Sequence, residues 1–466
     1  MKNGILKVRI VSVGATERPV AMRLPFQFGD TVVTQTAEAF VRVVIAVDGK
    51  VFTGQSAQLM VPRWFDKRTD QTNQDTVETL RISIKNACRS AVNLTGSAAR
   101  ICGEIQAETL ARMPPETPRL AAGFGPALVE MAMIDAVCLA CNVPFFEGAR
   151  LDVFGLAERG TPDLDENLIL QGLSSIRPQW KMRLRHTVGF DAPLSAKDAS
   201  NMTDVAGPVT LQDVIETTGI NAFKIKLKGD VAADLKRLAA IQPFLADTGQ
   251  YQVSLDANEQ YSKDAFIDFL SGFRTDPAVQ GIRAATLFAE QPFDREIARQ
   301  TVVSDEKFDL PLMIDESDDS DDSFARAWDL GWRGTSVKSC KSVFRALLNF
   351  CRICHLQSKG HNAFLSGEDL TCQPGLCLQQ DTLMGAVVGV QHAERNGHHF
   401  AGGMQGASPA EISTIVREHG DLYRIEGGKP QLHIQAGQIA FSSLNAAGFG
   451  GSAAIDVTND QRICHF

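Results

Sequence analysis

The segment Val253-Ser254-Leu255-Asp256-Ala257-Asn258 has the pattern of a short apolar strand that ends in two polar residues. Because side chains alternate along a strand, Asp256 and Asn258 face the same side. Four other segments of the same design accompany it, each an apolar strand followed by charged residues: Phe223-Lys224-Ile225-Lys226, Leu287-Phe288-Ala289-Glu290, Leu312-Met313-Ile314-Asp315 and Thr335-Ser336-Val337-Lys338. A charged residue thus ends each of five successive strands.

The spacing of these strands predicts repeated strand–helix units. Candidate strands end near the following residues, with helical patterns between them: Gly189, Lys226, Asp256, Glu290, Asp315 and Lys338. Such alternation is typical of a parallel sheet. In a (β/α)8 barrel the carboxyl ends of all strands meet at one face, where active sites lie. We therefore predict an α/β fold built on a modified (β/α)8 TIM-type barrel, with its charged residues in one pocket.

The rest of the 466-residue chain is expected to flank this barrel. Residues 1–60 have strand patterns joined by a hairpin turn at Asp48-Gly49. Helical patterns follow over residues 75–112 and 126–142. We expect four parts: an N-terminal α+β capping domain (1–150), a connection or insertion (151–183), the barrel (184–407) and a C-terminal segment returning to the capping domain (408–466).

Composition excludes several classes of protein. The 46 Lys and Arg residues against 55 Asp and Glu give a net charge of −9, so we expect no nucleic-acid partner. The apolar stretch from Phe124 to Phe146 carries Glu130 and Asp135, which disfavours a membrane span. The N-terminus lacks the apolar core of a secretory signal. Ten cysteines are too few for a disulfide framework, so we expect a cytoplasmic protein. We also expect a homo-oligomer.

The clustered charges suggest metal-assisted chemistry. Three carboxylates, completed by water or substrate oxygens, suit a hard octahedral cation such as Mg²⁺. Taken singly, each acid could instead cap the next helix and each lysine could be solvated. Five such positions in order, at barrel spacing, favour a functional site.

The ordered motifs K-x-K, D-x-N, E-Q-P, D-E-S and V-K-x-x-K resemble the enolase superfamily. The resemblance falls within its mandelate racemase/muconate lactonizing enzyme group, closest to the muconate lactonizing enzyme branch. The helix around Glu130–Asp135, followed by Val143-Pro144, is similar to that family's link between capping domain and barrel. The tail segment Gly448-Phe449-Gly450 is similar to its closing glycine motif.

The resemblance implies a role for each motif residue. Asp256, Glu290 and Asp315 would bind Mg²⁺, and Lys226 would be the general base on one face of a small carboxylate substrate. Lys338 would be the acid/base on the opposite face, and Lys224 and Asn258 would be supporting residues of the site. A nearby cation at Lys224, together with the metal, would help Lys226 to lose its proton.

Some positions depart from the racemase branch, which uses a histidine from strand seven. Here strand seven is predicted over Ala363–Asp369, and His361 precedes it at the amino-terminal end, away from the active face. Strand eight is expected around His398–Gly403, where no D-x-D motif of the kind used by dipeptide epimerases occurs. These features favour a lysine–lysine arrangement and disfavour a dipeptide substrate.

Three further residues are candidate substrate contacts. Phe28 lies in the segment Pro25–Asp30, which resembles the family's mobile specificity loop, although a structural turn is the alternative. Glu368 and Asp369 end the predicted strand seven.

The predicted function is therefore Mg²⁺-dependent abstraction of the proton next to a carboxylate, through a metal-stabilised enediolate. Two lysines on opposite faces permit racemisation or epimerisation, syn-elimination of water, or cycloisomerisation. Two alternatives stay open, namely a barrel aldolase with a Schiff-base lysine and a catalytically silent homologue that binds a metabolite.

Overall fold

The computed structural model describes residues 4–29, 31–199, 207–305, 307–451, 453 and 455–466. The chain begins with an antiparallel sheet of long strands: β1 (Lys7–Phe28), β2 (Thr31–Val47) and β3 (Lys50–Leu59). The predicted turn between β2 and β3 is confirmed. Asp48 and Gly49 have φ angles of 46° and 78°, and positive angles at both positions are what a two-residue hairpin turn requires.

Helices then cover one side of this sheet. The elements are α1 (Asn73–Ala91), β4 (Thr95–Ser97), α2 (Ala98–Arg112), α3 (Arg119–Ala122), α4 (Phe124–Cys141) and α5 (Phe145–Arg150). The single helical pattern predicted over 75–112 was wrong, because the chain turns at Asn93 (φ 65°) and pairs β4 with β1 before α2 begins. The segment Arg119–Cys141 is long and apolar enough to cross a membrane, but 78% of its most apolar window is buried in the protein.

The contact between β3 and α4 depends on a glycine. A Cβ atom at Gly54 would lie 2.1 Å from the carbonyl oxygen of Ala132 and 2.3 Å from the amide nitrogen of Ala136. Backbone atoms cannot yield as a flexible side chain can. We expect Gly54→Ala to lower the free energy of unfolding by about 3 kcal/mol in urea denaturation.

The matched control is Gly103→Ala in α2, where nothing lies within 4 Å of the added Cβ. That change should raise the free energy of unfolding by about 0.5–1 kcal/mol, since glycine is unfavourable inside a helix. Equal effects of the two substitutions would contradict this account of the β3–α4 contact.

The barrel begins after α6 (Glu166–Ser174). Its elements are β5 (Lys181–Val188), α7 (Leu211–Thr218), β6 (Ala222–Lys226), α8 (Val231–Ala246), β7 (Gln252–Asp256), α9 (Lys263–Thr275), α10 (Gln280–Ala285), β8 (Thr286–Glu290), α11 (Arg295–Ala298), β9 (Leu312–Ile314), α12 (Ser323–Asp329), β10 (Gly334–Val337), α13 (Val343–Ser358), β11 (Phe364–Gly367), α14 (Leu376–Val387) and β12 (His392–Glu394). The eight strands β5 to β12 are parallel, and β12 pairs with β5 to close the barrel. The predicted modified (β/α)8 barrel with an N-terminal α+β cap is confirmed.

Strand ends agree with the sequence pattern within one residue from β5 to β10. The prediction for strand eight was wrong, because β12 ends at Glu394 and His399 lies in the following helix α15 (Gly397–Phe400). The side chain of His398 is outside the described part of the chain.

The chain ends with elements that return to both halves of the molecule. They are α16 (Pro409–Glu418), β13 (Tyr423–Glu426), β14 (Lys429–Leu432), β15 (Gln438–Ala440) and β16 (Gln461–His465). β15 pairs antiparallel with β5 of the barrel, and β16 pairs antiparallel with β1 of the cap. In the stretch between cap and barrel, Gly172 of α6 packs against Cys351 of α13, so these residues form a packed element.

A buried carboxyl group links the cap to the loop after β11. Glu38 accepts a hydrogen bond of 2.6 Å from the side chain of Gln373, and burial raises its pKa from 4.5 to about 7. Because the folded protein binds this proton more tightly than the unfolded chain does, this group destabilises the fold as the pH rises from about 4.5 to 7.

Between pH 5 and pH 8, we therefore expect Glu38→Gln to lose up to about 3 kcal/mol less of its free energy of unfolding than the wild type does. Urea unfolding at pH 5 and pH 8 checks it: the variant should gain stability relative to the wild type at the higher pH. A difference between the two proteins that does not change with pH would contradict the shifted pKa.

Candidate active site

The predicted residues meet in one cavity at the carboxyl ends of the barrel strands. Side chains from the barrel form its floor: Lys224, Lys226, Asp256, Asn258, Lys338, Asp369, Leu370 and Glu394. Side chains from the cap form its roof: Phe26, Phe28, Val61 and Trp64. The free space between them is about 10 Å³, roughly one water molecule. The cap is thus closed over the barrel, and a substrate must move roof side chains to enter.

Lys226 is held at the end of β6 by the neighbouring strand. Its Nζ donates hydrogen bonds of 2.6 Å to Oδ2 of Asp256 and 2.6 Å to Oδ1 of Asn258. The alternation of side chains along β7 places these two acceptors on the same face. Asn258, which the sequence predicts as a supporting residue, thus contacts Lys226 directly.

Lys224, two residues earlier on β6, lies among four carboxylates. Its Nζ is 2.8 Å from Asp256, 2.7 Å from Glu368 and 3.1 Å from Glu394. Nζ also lies 2.9 Å from Oε2 of Glu290, but it directs a 3.1 Å hydrogen bond at Oε1. Burial would lower the pKa of Lys224, yet the surrounding carboxylates hold it well above its ordinary value. Lys224 is therefore a fixed positive charge beneath the cavity.

Lys338 follows β10, on the side of the barrel opposite β6. Its Nζ donates a 2.6 Å hydrogen bond to Oδ2 of Asp315 and lies 4.2 Å from the centre of the Trp64 ring. Although burial alone would lower the pKa of Lys338, Asp315 holds it above its ordinary value. Lys341, the second lysine of V-K-x-x-K, is 3.1 Å from Asp318 and donates to the carbonyl oxygen of Asp315.

The three predicted metal ligands lie on adjacent strands. Asp256 and Glu290 end β7 and β8, Asp315 follows β9, and all three are fully buried. Burial and then the carboxylates of Asp256 and Glu368 raise the pKa of Glu290 well above its ordinary value. Oε2 of Glu290 has no hydrogen-bond partner among the described residues.

This donor set fits a divalent cation in its chemistry, since it consists of hard oxygen ligands with an excess of negative charge around Glu290. It is not already arranged as a metal site. Within the described ranges no three His, Cys, Asp or Glu side chains converge on a common metal position, because each acid contacts a lysine instead. Binding of a cation would draw the acids away from these ammonium groups.

The candidate substrate contacts have different surroundings. Phe28 lies in the roof, at the end of β1, and Asp30 is outside the described residues. Asp369 lines the floor, where it accepts backbone hydrogen bonds from Cys372 and Asn396. Glu368 is engaged by Arg185, Ser366 and Lys224 beneath the cavity. The structure therefore brings Phe28 and Asp369 to the cavity and places Glu368 below it.

His361 lies far from this cavity, at the amino-terminal side of the barrel as predicted. It borders a hollow of about 1360 Å³ near the starts of β8, β9 and β11. None of the predicted site residues lines that hollow.

Sequence reasoning missed four residues that line the cavity, namely Val61, Trp64, Leu370 and Glu394. Glu394 ends β12, a strand of three residues that is too short to show an apolar pattern. Trp64 lies in the cap, in the segment after β3, and is only 3% exposed. The signal for Glu394 was available as an acid at the end of a strand, but no sequence signal identified Trp64.

Several known proteins resemble this chain in sequence or in structure. Residues 209–362 match the family described as Enolase C-terminal domain-like, and no curated protein matches the chain. A muconate lactonizing enzyme from Mucobacterium smegmatis, complexed with muconolactone, is 18% identical, with a TM-score of 0.61 over 97% of this chain and 99% of that one. A dipeptide epimerase from Cytophaga hutchinsonii, complexed with Mg and D-Ala-L-Val, is 15% identical, with a TM-score of 0.59 over 96% of each chain.

A member of the enolase superfamily from Roseovarius nubinhibens, complexed with magnesium, is 15% identical, with a TM-score of 0.60 over 98% of this chain and 99% of that one. At these identities the solved structures establish a shared fold. Together with the family match, they confirm the resemblance to the enolase superfamily and its mandelate racemase/muconate lactonizing enzyme group.

Proposed function

We propose that this protein, whose residues 209–362 match the enolase C-terminal domain-like family, is a Mg²⁺-dependent enzyme that removes the proton α to a substrate carboxylate. One observation carries the proposal. Lys226 and Lys338 line the same closed cavity, and each is bound to a carboxylate of the candidate metal set. β6 and β10 are the second and sixth of eight barrel strands, so the two lysines approach from opposite sides.

Asp256, Glu290 and Asp315 would hold the metal. A bound Mg²⁺ would supply positive charge that stabilises the enediolate formed when the α-proton leaves. The magnesium complexes among the solved structures of the same fold support this choice of ion.

The chain's own residues perform the proton transfers. Lys226 accepts the α-proton at its Nζ from one face of the substrate, while Asn258 and Asp256 fix the position of that nitrogen. Lys338 donates or accepts a proton at the opposite face. Lys224 adds a fixed positive charge near the substrate carboxylate, and the roof residues Phe28 and Trp64 exclude water from the reacting atoms.

Two opposed lysines are compatible with three outcomes: racemisation or epimerisation, syn-elimination of water, and cycloisomerisation. All three require exchange or loss of the α-proton. Solvent deuterium exchange at the α-carbon, measured by NMR over a panel of acid sugars, aromatic acids and dipeptides with Mg²⁺, tests the shared step.

At least one acid should exchange, and EDTA should stop it. Absence of exchange across the panel would contradict the proposal and favour a silent metabolite-binding protein. Borohydride trapping of a substrate on Lys226 or Lys338 would favour a Schiff-base aldolase instead.

A further inference from the structure

The cap and the barrel line the catalytic cavity with side chains of different polarity. Among the described residues that line it, every side chain from the cap is apolar, and every charged side chain comes from the barrel. A carboxylate therefore has cationic partners only on the floor, at Lys224, Lys226 and Lys338. The part of a substrate that lies under the cap meets Phe26, Phe28 and Trp64.

Two acids of the floor, Glu394 and Asp369, already accept hydrogen bonds from the protein. Oε1 of Glu394 accepts from Thr187 and from Asn396 at 2.7 Å, and Oε2 accepts from Lys224 and from the Asp369 amide, both at 3.1 Å. Asp369 accepts from the amides of Cys372 and Asn396, one on each oxygen. Both acids therefore already accept hydrogen bonds from the protein on each oxygen, which weakens their attraction for an ammonium group on a substrate.

A second cavity lies behind the roof. It has a volume of about 190 Å³ and is bordered by the end of β1, the end of β5 and the start of α7. Phe26 lines both cavities, so its ring forms the wall between them. The ring also contacts Phe28 and Phe400, at centroid distances of 5.6 and 4.9 Å.

The second cavity is largely apolar, but two buried histidine rings, His186 and His399, also border it. His186 borders it and is only 4% exposed, and its Nδ1 has no hydrogen-bond partner in the described part of the chain. Burial lowers the pKa of His186 to about 4, so the ring is neutral at neutral pH. The described carboxylate on this wall, Asp191, is exposed. The interior of this cavity therefore suits an uncharged group, with a place for one neutral hydrogen-bonding atom.

We propose that the second cavity receives the remote part of the substrate once the Phe26 ring moves aside. The substrate is then a carboxylate that carries an uncharged, apolar group of about the size of a phenyl ring. This inference rests on the proposed function, because it assumes that the carboxylate binds above the barrel floor. The size is adequate, since a dry apolar cavity of about 150 Å³ holds benzene.

Binding of simple carboxylates tests the inference. With Mg²⁺ present, calorimetry or ligand-observed NMR should show that 3-phenylpropanoate binds at least about 10-fold more tightly than propanoate. Glutarate and 5-aminopentanoate, which carry a remote charge, should bind no more tightly than propanoate. Tighter binding of either charged acid than of 3-phenylpropanoate would overturn the inference.

A filled cavity provides the structural control. Leu211 borders the second cavity and is 3% exposed, so Leu211→Trp should weaken binding of 3-phenylpropanoate at least about 10-fold while propanoate binds as before. Unchanged propanoate binding shows that the variant is folded. Leu170→Trp, at a leucine that is 41% exposed in α6, should alter neither affinity.

If Leu211→Trp weakens both acids equally or neither, the second cavity is not the site. Phe26→Leu offers an independent check, because a smaller side chain at the dividing wall should leave 3-phenylpropanoate binding intact or tighter. Weaker binding of 3-phenylpropanoate to that variant would overturn the role of Phe26 as a movable wall. These outcomes are separate from deuterium exchange at the α-carbon, whose absence would instead contradict the proposed function.

Discussion

Replacing Lys226 with alanine is expected to lower kcat for exchange of the α-proton that faces Lys226 by about 10³-fold, with little change in Mg²⁺ affinity. Lys226 is the group placed to accept the proton, and its Nζ is fixed by Asp256 and Asn258 at 2.6 Å each. Among the described residues, Lys224 is the only other lysine or histidine that lines the cavity from the same side of the barrel. Lys224 is engaged by four carboxylates, so it is a poor replacement base.

The matched control is Lys228→Ala. Lys228 lies two residues beyond Lys226 and is exposed, with its ammonium 5.1 Å from the ring centre of Phe190. This variant should retain wild-type exchange within about twofold. If Lys228→Ala loses as much activity as Lys226→Ala, the effect arises from charge or folding and not from the base.

Glu290→Gln is expected to weaken Mg²⁺ binding by at least about 100-fold and to abolish exchange at ordinary Mg²⁺ concentrations. Glu290 is the central member of the acidic set, and its Oε2 has no hydrogen-bond partner among the residues described. Glutamine has nearly the same shape but a weaker donor oxygen and no charge. Calorimetric titration with Mg²⁺ measures the loss directly, without a substrate.

Glu296→Gln serves as the control for Glu290→Gln. It removes one negative charge from an acid whose side chain is 70% exposed, in the helix that follows β8. Its Mg²⁺ affinity should equal that of the wild type. Unaltered Mg²⁺ binding by Glu290→Gln would show that this acid is not a ligand.

The barrel could be predicted from sequence because each of its central strands carries two signals at once. Val253–Asp256 and Leu287–Glu290 combine an apolar run with an acid at the boundary, so both the strand and its end were located. The lysines of β6 and β10 extended the same pattern. Strand eight lacked the first signal, because His392-Ala393-Glu394 contains a single apolar residue.

The roof of the cavity could not be predicted in the same way. Phe26, Phe28 and Trp64 reach the site because two separate parts of the cap fold over the barrel, and local sequence patterns do not report such long-range packing. The second cavity depends on the same packing. His186 stands in β5 next to Arg185, and nothing in that strand distinguishes the residue that borders a cavity from those that fill the barrel.

The central claim is that two lysines act on opposite faces of one substrate, and separate exchange of the two antipodes tests it most directly. For a chiral acid that the wild-type protein exchanges in deuterium oxide with Mg²⁺, Lys226→Ala should lose exchange of one antipode and Lys338→Ala should lose exchange of the other. Each variant should retain measurable exchange of the antipode that the remaining lysine deprotonates. If both variants lose exchange of the same antipode, or if either variant exchanges both antipodes fully, the account is contradicted.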